Sequence, residues 1–197
     1  MKLFVGLGNP GKKYEKTRHN AGYLLLERIA GERDFKSDEK FKAQILLKKS
    51  KGESLIFAKP ETFMNMSGEA VVKIVEYYKV DVSEIFVLLD DVDIPLGQVR
   101  IRLSGSSAGH KGLQNIIEAL GSESFCRIRV GIGDEPIRSN EHDKFENKIE
   151  TKNYVLGKFT KRELGILDDA ISLAADKIKA HIGSKEPIQA TTLETKL

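Results

Sequence analysis

Two side chains in this sequence have the types and settings of a chemical pair. His19 lies in a loop dense in Gly, Asn and Pro, residues Gly6 to Tyr23 (GLGNPGKKYEKTRHNAGY). Asp90 follows the apolar run Ile85 to Leu89. A carboxylate hydrogen-bonded to one imidazole nitrogen fixes the ring's tautomer and leaves the other nitrogen as a base. No serine occupies a G-x-S-x-G turn, so an activated serine is not expected; a His–Asp dyad with no nucleophile of its own would activate water. Taken singly, each residue has a plainer use, His19 as a surface or capping residue and Asp90 as a turn cap. The expectation rests on the pair: if the two strands are parallel, the loop carrying His19 and the carboxylate reach the same edge of the sheet.

Competing chemistries are weaker. Gly6, Gly8 and Gly11 spell the dinucleotide-binding pattern G-x-G-x-x-G after a strand, which requires the last glycine to open a helix facing a pyrophosphate. Pro10 interrupts the pattern, and no apolar helical period follows until about Asn20, so a nucleotide site and an NAD-dependent oxidoreductase are rejected. A metal would need ligand spacing such as H-E-x-x-H or C-x-x-C, which is absent. Asp90, Asp91 and Asp93 could hold Mg²⁺ but are equally ordinary turn residues, and a metal-free, cofactor-free site is expected. Cys126 is the single cysteine, so no intrachain disulfide is possible. It reads as a small core residue. Arg102 and Arg129 fall in strand-like segments with a parity that would put both on one face, where they could hold a phosphate.

The elements that must position these groups alternate between strand and helix. Strands are predicted at Lys2 to Leu7, Ala43 to Lys48, Ser54 to Ala58, Ile85 to Leu89, Gln98 to Leu103 and Cys126 to Ile132. Helices are predicted over Asn20 to Glu32, Glu69 to Lys79, Leu113 to Leu120 and Lys161 to Ile182. The fold class that follows is α/β: one three-layer α/β/α domain over residues 1–197 around a twisted mixed sheet. A polar, charge-rich surface excursion is expected over about 134–153, and the loop Ser104 to Gly109 is flexible by composition. The chain has 197 residues, 40% hydrophobic and 31% charged, with a formal net charge of +3. This balance is ordinary for a soluble globular protein and neither demands nor opposes a polyanionic partner. With no apolar run near 18 residues and no signal-peptide pattern, a reduced cytoplasmic protein without a membrane contact is expected.

Longer motifs then carry a resemblance. Gly6 to Gly11 with Tyr14 and Thr17 to Gly22, Lys59 to Gly68 (KPETFMNMSG), Asp90 to Gly97 (DDVDIPLG), Gly109 to Leu113 (GHKGL), Arg127 to Gly133 (RIRVGIG) and Asn153 to Phe159 (NYVLGKF) resemble, in order, the bacterial peptidyl-tRNA hydrolase family. The resemblance implies hydrolysis of the ester joining a peptide to the terminal ribose of tRNA. It implies His19 as the general base and Asp90 as the acid that keeps it basic, with no metal and no cofactor. Asn9 matches the position that distinguishes peptidyl from free aminoacyl ends, and Tyr14, Phe63 and Asn65 match contacts to the 3′ end of the substrate. Arg102 and Arg129 match basic positions that hold the tRNA 5′ phosphate, Arg102 standing where lysine is usual. The implied partner is tRNA and the implied state a monomer. One departure stands out: after Gly109 and His110 the family usually has asparagine, and this chain has Lys111. The alternative reading is a catalytically weak RNA-binding relative of the same fold, against which the His19–Asp90 pair argues.

Overall fold

The computed structural model describes residues 1–133, 148–184 and 186–195, the side chains of 148–150 excepted. A single eight-stranded mixed sheet runs through it in the order β2-β3-β4-β1-β5-β7-β6-β8. The strands are β1 (Lys2–Gly6), β2 (Lys36–Asp38), β3 (Ala43–Ser50), β4 (Glu53–Pro60), β5 (Ile85–Pro95), β6 (Gln98–Arg102), β7 (Cys126–Gly133) and β8 (Thr191–Glu194). β1 pairs in parallel with β4 and β5, and β5 with β7, so these four point one way. Their inner stretches, Leu3 to Val5, Leu55 to Ala58 and Ile85 to Leu89, are apolar, as strands covered on both faces require. β3 and β6 run antiparallel beside this core.

Helices α1 (Ala21–Ala30), α2 (Ser67–Tyr78), α3 (Lys111–Leu120), α4 (Lys148–Leu156) and α5 (Lys161–His181) complete the layers. α1 and α5 pack on one face, where Leu25, Leu26, Ile171, Ala174 and Ile178 meet Phe4, Phe86, Leu88 and Ile128. α2 and α3 cover the other face, where Val71, Ile74, Leu113 and Ile116 meet Leu3, Val5, Val87 and Leu89. Alternation along β1 and β5 therefore sends successive apolar residues into two separate cores. Cys126 is buried in the first of these, its thiol pushed up to about 12 by that burial. The architecture is the three-layer α/β class expected from the sequence.

Four differences have physical reasons. β5 does not end at Leu89 but continues through the acids to Pro95, because β7 keeps pairing it: Asp90 lies opposite Val130 and Asp91 opposite Gly131. β8, four residues at the chain's end, adds an antiparallel edge beside β6, and β2 adds the opposite edge beside β3. Both are short and polar, with no apolar alternation to announce them, and their backbone hydrogen bonds come from the neighbouring strand. Residues 148–153 of the expected excursion belong to α4; residues 134–147 lie outside the described residues. Among the described residues no helix is long and apolar enough to cross a membrane.

Candidate active site

The site forms where β1 stops and β5 continues. β1 ends at Gly6 opposite Leu88, and the chain then turns away, Leu7 N–H donating to Leu88 O at 2.8 Å. The loop from Leu7 to Asn20 holds no α-helix; Lys12–Tyr14 and Arg18–Asn20 form single 3₁₀ turns, and α1 begins only at Ala21. That geometry removes the helix N-terminus a pyrophosphate would need.

Three anchors hold the loop. Asn20 clamps Asn9 at two points, its Oδ1 accepting from Asn9 N at 2.9 Å and its Nδ2 donating to Asn9 O at 3.1 Å. Arg18 pairs with Glu163 at 2.6 Å, donates to Lys158 O, and stacks its guanidinium over the Tyr154 ring. Gly22 lets α1 approach the strand ends: a Cβ there would lie 2.3 Å from Leu88 O and 2.6 Å from Leu7 O. Only glycine permits that approach, and it brings His19, three residues earlier, up against β5.

His19 Nδ1 lies 2.8 Å from Asp90 Oδ1 and 3.0 Å from Oδ2. Asp90 is 2% exposed, whereas the His19 side chain keeps 15% of its surface open. Facing a buried carboxylate, Nδ1 carries the proton and donates, which leaves the Nε2 lone pair free. Burial alone would raise the Asp90 carboxyl, but His19 and His110 together hold it well below the usual carboxylate range. For His19 burial opposes protonation, yet the charge and hydrogen bond of Asp90 outweigh it; the result lies above the ordinary 6.5, with Lys111 pulling in the opposite direction.

A second histidine joins the pair. His110 caps α3, its Nδ1 accepting from Leu113 N–H at 3.2 Å, so its proton sits on Nε2 and is donated to Asp90 Oδ1 at 3.2 Å. The two imidazole rings stand 5.2 Å apart. The sequence analysis gives His110 no role beyond its place in the GHKGL motif. The available signal was its place between a Gly/Ser loop and the start of an amphipathic helix, a strand-loop-helix junction like that of His19. His19, Asp90 and His110 also present three atoms close enough together to ligate a metal. Both imidazole nitrogens that face Asp90 are protonated donors in this arrangement, so the set fits a hydrogen-bonded triad better than a cation.

The other residues singled out from the sequence spread around this centre. Asn9 is buried, and its Oδ1 accepts from Met64 N–H at 3.3 Å, which leaves its Nδ2 as a donor. Asn65 lies within the 3₁₀ turn Met64–Met66 and Phe63 immediately precedes it, 64% exposed. Tyr14 is partly exposed in its own 3₁₀ turn under Lys13. Arg102 and Arg129 share a sheet face: Arg102 stands opposite Arg127, and Arg129 opposite Arg100. Arg129 is ion-paired with Asp91, next to Asp90, while Arg102 Nη1 donates to the carbonyls of Ile101 and Thr191. Arg129 is thus held by the residue next to Asp90, whereas Arg102 lies on β6, beyond β7 in the strand order.

Comparison with known proteins gives this geometry its context. A family model described as peptidyl-tRNA hydrolase matches residues 3–196. The peptidyl-tRNA hydrolase of Bacillus cereus (strain Q1) is 42% identical over 177 residues, 89% of this chain and 90% of that protein. The one from Desulforamulus reducens is 43% identical over 183 residues, 92% of this chain and 83% of its own. The crystal structure of peptidyl-tRNA hydrolase from Acinetobacter baumannii superposes with a TM-score of 0.81 at 33% identity, covering 91% of this chain and 87% of that one. With the match running from β1 to β8, the chain belongs to the peptidyl-tRNA hydrolase family.

Proposed function

We propose that this protein hydrolyses the ester bond of peptidyl-tRNA, releasing peptide and free tRNA, with His19 as general base and Asp90 as the group that orients it. The observation that carries the reading is the 2.8 Å contact between His19 Nδ1 and Asp90 Oδ1, which commits the proton to Nδ1. Nε2 is then left to take a proton from water as that water adds to the ester carbonyl. The negative charge of Asp90 favours the imidazolium that forms, and the second donor, His110, keeps the carboxylate ionised and fixed. When the intermediate collapses, the proton on Nε2 passes to the ribose oxygen that leaves.

Asn9 supports the same chemistry. Its Oδ1 is engaged by Met64 N–H, so its Nδ2 is the group offered to the carbonyl oxygen or to the peptide. Phe63, Tyr14 and Asn65 contact the 3′ end of the tRNA in this reading, the exposed Phe63 ring offering a stacking face for the terminal base. Arg102 and Arg129 bind the 5′ phosphate, Arg129 exchanging or sharing its Asp91 contact. Recognition through phosphates and shape needs no large net charge, in keeping with +3. The enzyme works as a monomer, without cofactor or metal, in the reducing cytoplasm, where the buried thiol of Cys126 stays reduced.

The direct test is release of tRNA from an N-acetylaminoacyl-tRNA with and without EDTA. Equal release in both is expected. Binding of the substrate without release would instead favour the RNA-binding relative, and loss of release with EDTA would return the His19–Asp90–His110 group to a metal role.

A further inference from the structure

Tyr23 stands directly against the loop that carries Asn9. It belongs to the first turn of α1, one residue after the glycine that brings this helix up to the strand ends. A Cβ placed on Gly8 would lie 2.9 Å from Tyr23 Cγ and Cδ2 and 3.0 Å from Cδ1. Three ring atoms at nearly one distance mean that the ring turns its face to the Gly8 backbone. In a close-packed interior, position 8 has no room for a side chain while the tyrosine keeps its place.

The far end of the same side chain reaches the neighbouring wall of the site. Tyr23 Oη donates to Pro60 O, at the end of β4. Burial and the nearby Glu61 carboxylate push the phenol up, so it stays protonated and keeps this bond. Four residues beyond Pro60, Met64 N–H donates to Asn9 Oδ1 at 3.3 Å. One stiff side chain therefore touches both segments that Asn9 joins. Its ring supports Gly8, and its hydroxyl holds the strand end that leads to Met64. Tyrosine suits such a brace because it spans the gap with few rotatable bonds to freeze.

We propose that Tyr23 is a positioning residue for Asn9. It sets the separation of the segments after β1 and β4, so that Asn9 Nδ2 meets the acyl end of the substrate and distinguishes a peptidyl from a free aminoacyl ester. The inference rests on the reading of Asn9 as the group that makes this distinction. Asn20 grips the Asn9 backbone and Met64 N–H occupies its Oδ1, so the direction of Nδ2 follows from where these two walls stand. Tyr23 acts through Gly8 and Pro60 and enters no step of the reaction. A displacement of about 1 Å in a site can cost on the order of 10²-fold, so loosening the brace is read in rate and selectivity.

The test measures kcat/KM on an N-acetylaminoacyl-tRNA and on the same aminoacyl-tRNA with a free amine, and takes their ratio. Tyr23→Ala should lower that ratio by roughly 10–10²-fold, and Tyr23→Phe, which keeps the ring against Gly8, by less. Gly8→Ala should lower it too, since its methyl group meets the ring. The double variant Gly8→Ala/Tyr23→Ala should recover part of the ratio, because the methyl group enters space that the ring has left. Leu25→Ala, a truncation in the core on the same helix, should lower the melting temperature and leave the ratio at its wild-type value. If Tyr23→Ala behaves like Leu25→Ala, Tyr23 is ordinary core and the inference falls. It falls equally if the double variant is no more selective than the worse single one. Should Tyr23→Ala not fold, Gly8→Ala decides alone, and an unchanged ratio there overturns the inference. An Asn9→Ala enzyme as selective as wild type would overturn the Asn9 reading itself, and this inference with it.

Discussion

His19 and His110 converge on the same oxygen of Asp90, His19 Nδ1 at 2.8 Å and His110 Nε2 at 3.2 Å from Oδ1. The two histidines come from opposite sides of the sheet's carboxyl edge, one from the loop after β1 and one from the cap of α3. A carboxylate shared in this way cannot rotate to favour either ring, and its charge is fixed against the His19 imidazole.

His19→Ala removes the proposed general base. The hydrolysis rate should fall by roughly 10²–10⁴-fold, the usual worth of general-base catalysis, while tRNA affinity measured by filter binding stays near wild type. A comparable loss of affinity would mean that His19 serves binding instead.

The pH profile separates His19 from Asp90. With His19 held above its ordinary 6.5, the acidic limb of kcat/KM for the wild type should fall above that pH, since only the neutral imidazole accepts a proton. Asp90→Asn removes the charge that raises His19, so its limb should shift to lower pH even as the rate drops by roughly 10²-fold or more. A limb that stays in place would show that another group sets it.

His110 carries two duties that two variants can divide. His110→Ala loses both the helix cap and the donor to Asp90, and should cost about 1 kcal/mol of stability along with a lower rate. His110→Asn keeps a capping oxygen but does not reproduce the Nε2–H donor. Its melting temperature should recover while kcat remains roughly tenfold down, about 1.4 kcal/mol in the barrier.

Gly22→Ala tests the approach of α1 to the sheet. Its new methyl group would meet two carbonyl oxygens and must push α1 outward, costing about 1–3 kcal/mol as overpacking does. Because His19 rides on the same turn, kcat should fall together with the melting temperature, a linkage that an exposed alanine substitution such as Lys177→Ala should lack.

The two arginines should differ. Arg102→Ala should reduce the salt dependence of tRNA binding by about one phosphate contact with little effect on folding. Arg129→Ala should do the same but also destabilise the protein, because it leaves the buried Asp91 carboxylate unpaired. Adding Asp91→Asn should restore the melting temperature without restoring the binding.

Much of this molecule was legible in its residues. The short apolar runs Leu3 to Leu7 and Ile85 to Leu89 read as strands buried on both faces, and parallel pairing of such strands brings the ends that carry His19 and Asp90 to one edge. The failure of G-x-G-x-x-G to open a helix was equally plain, since Lys12 to Arg18 has no apolar period. These features are local, written in the spacing of side chains along a single segment.

What the sequence did not contain is which segments become neighbours. His110 reaches Asp90 because α3 starts at the sheet edge where β5 outruns β1; Arg129 meets Asp91 because β7 lies beside β5 in the strand order. β2 and β8 owe their existence to the backbone groups of β3 and β6, and the run of β5 through three acids owes its length to β7. Each depends on contacts between residues distant in the chain, and period and composition carry no record of them. The sequence determined the chemistry available to this protein, and the tertiary structure decided which groups share the carboxylate.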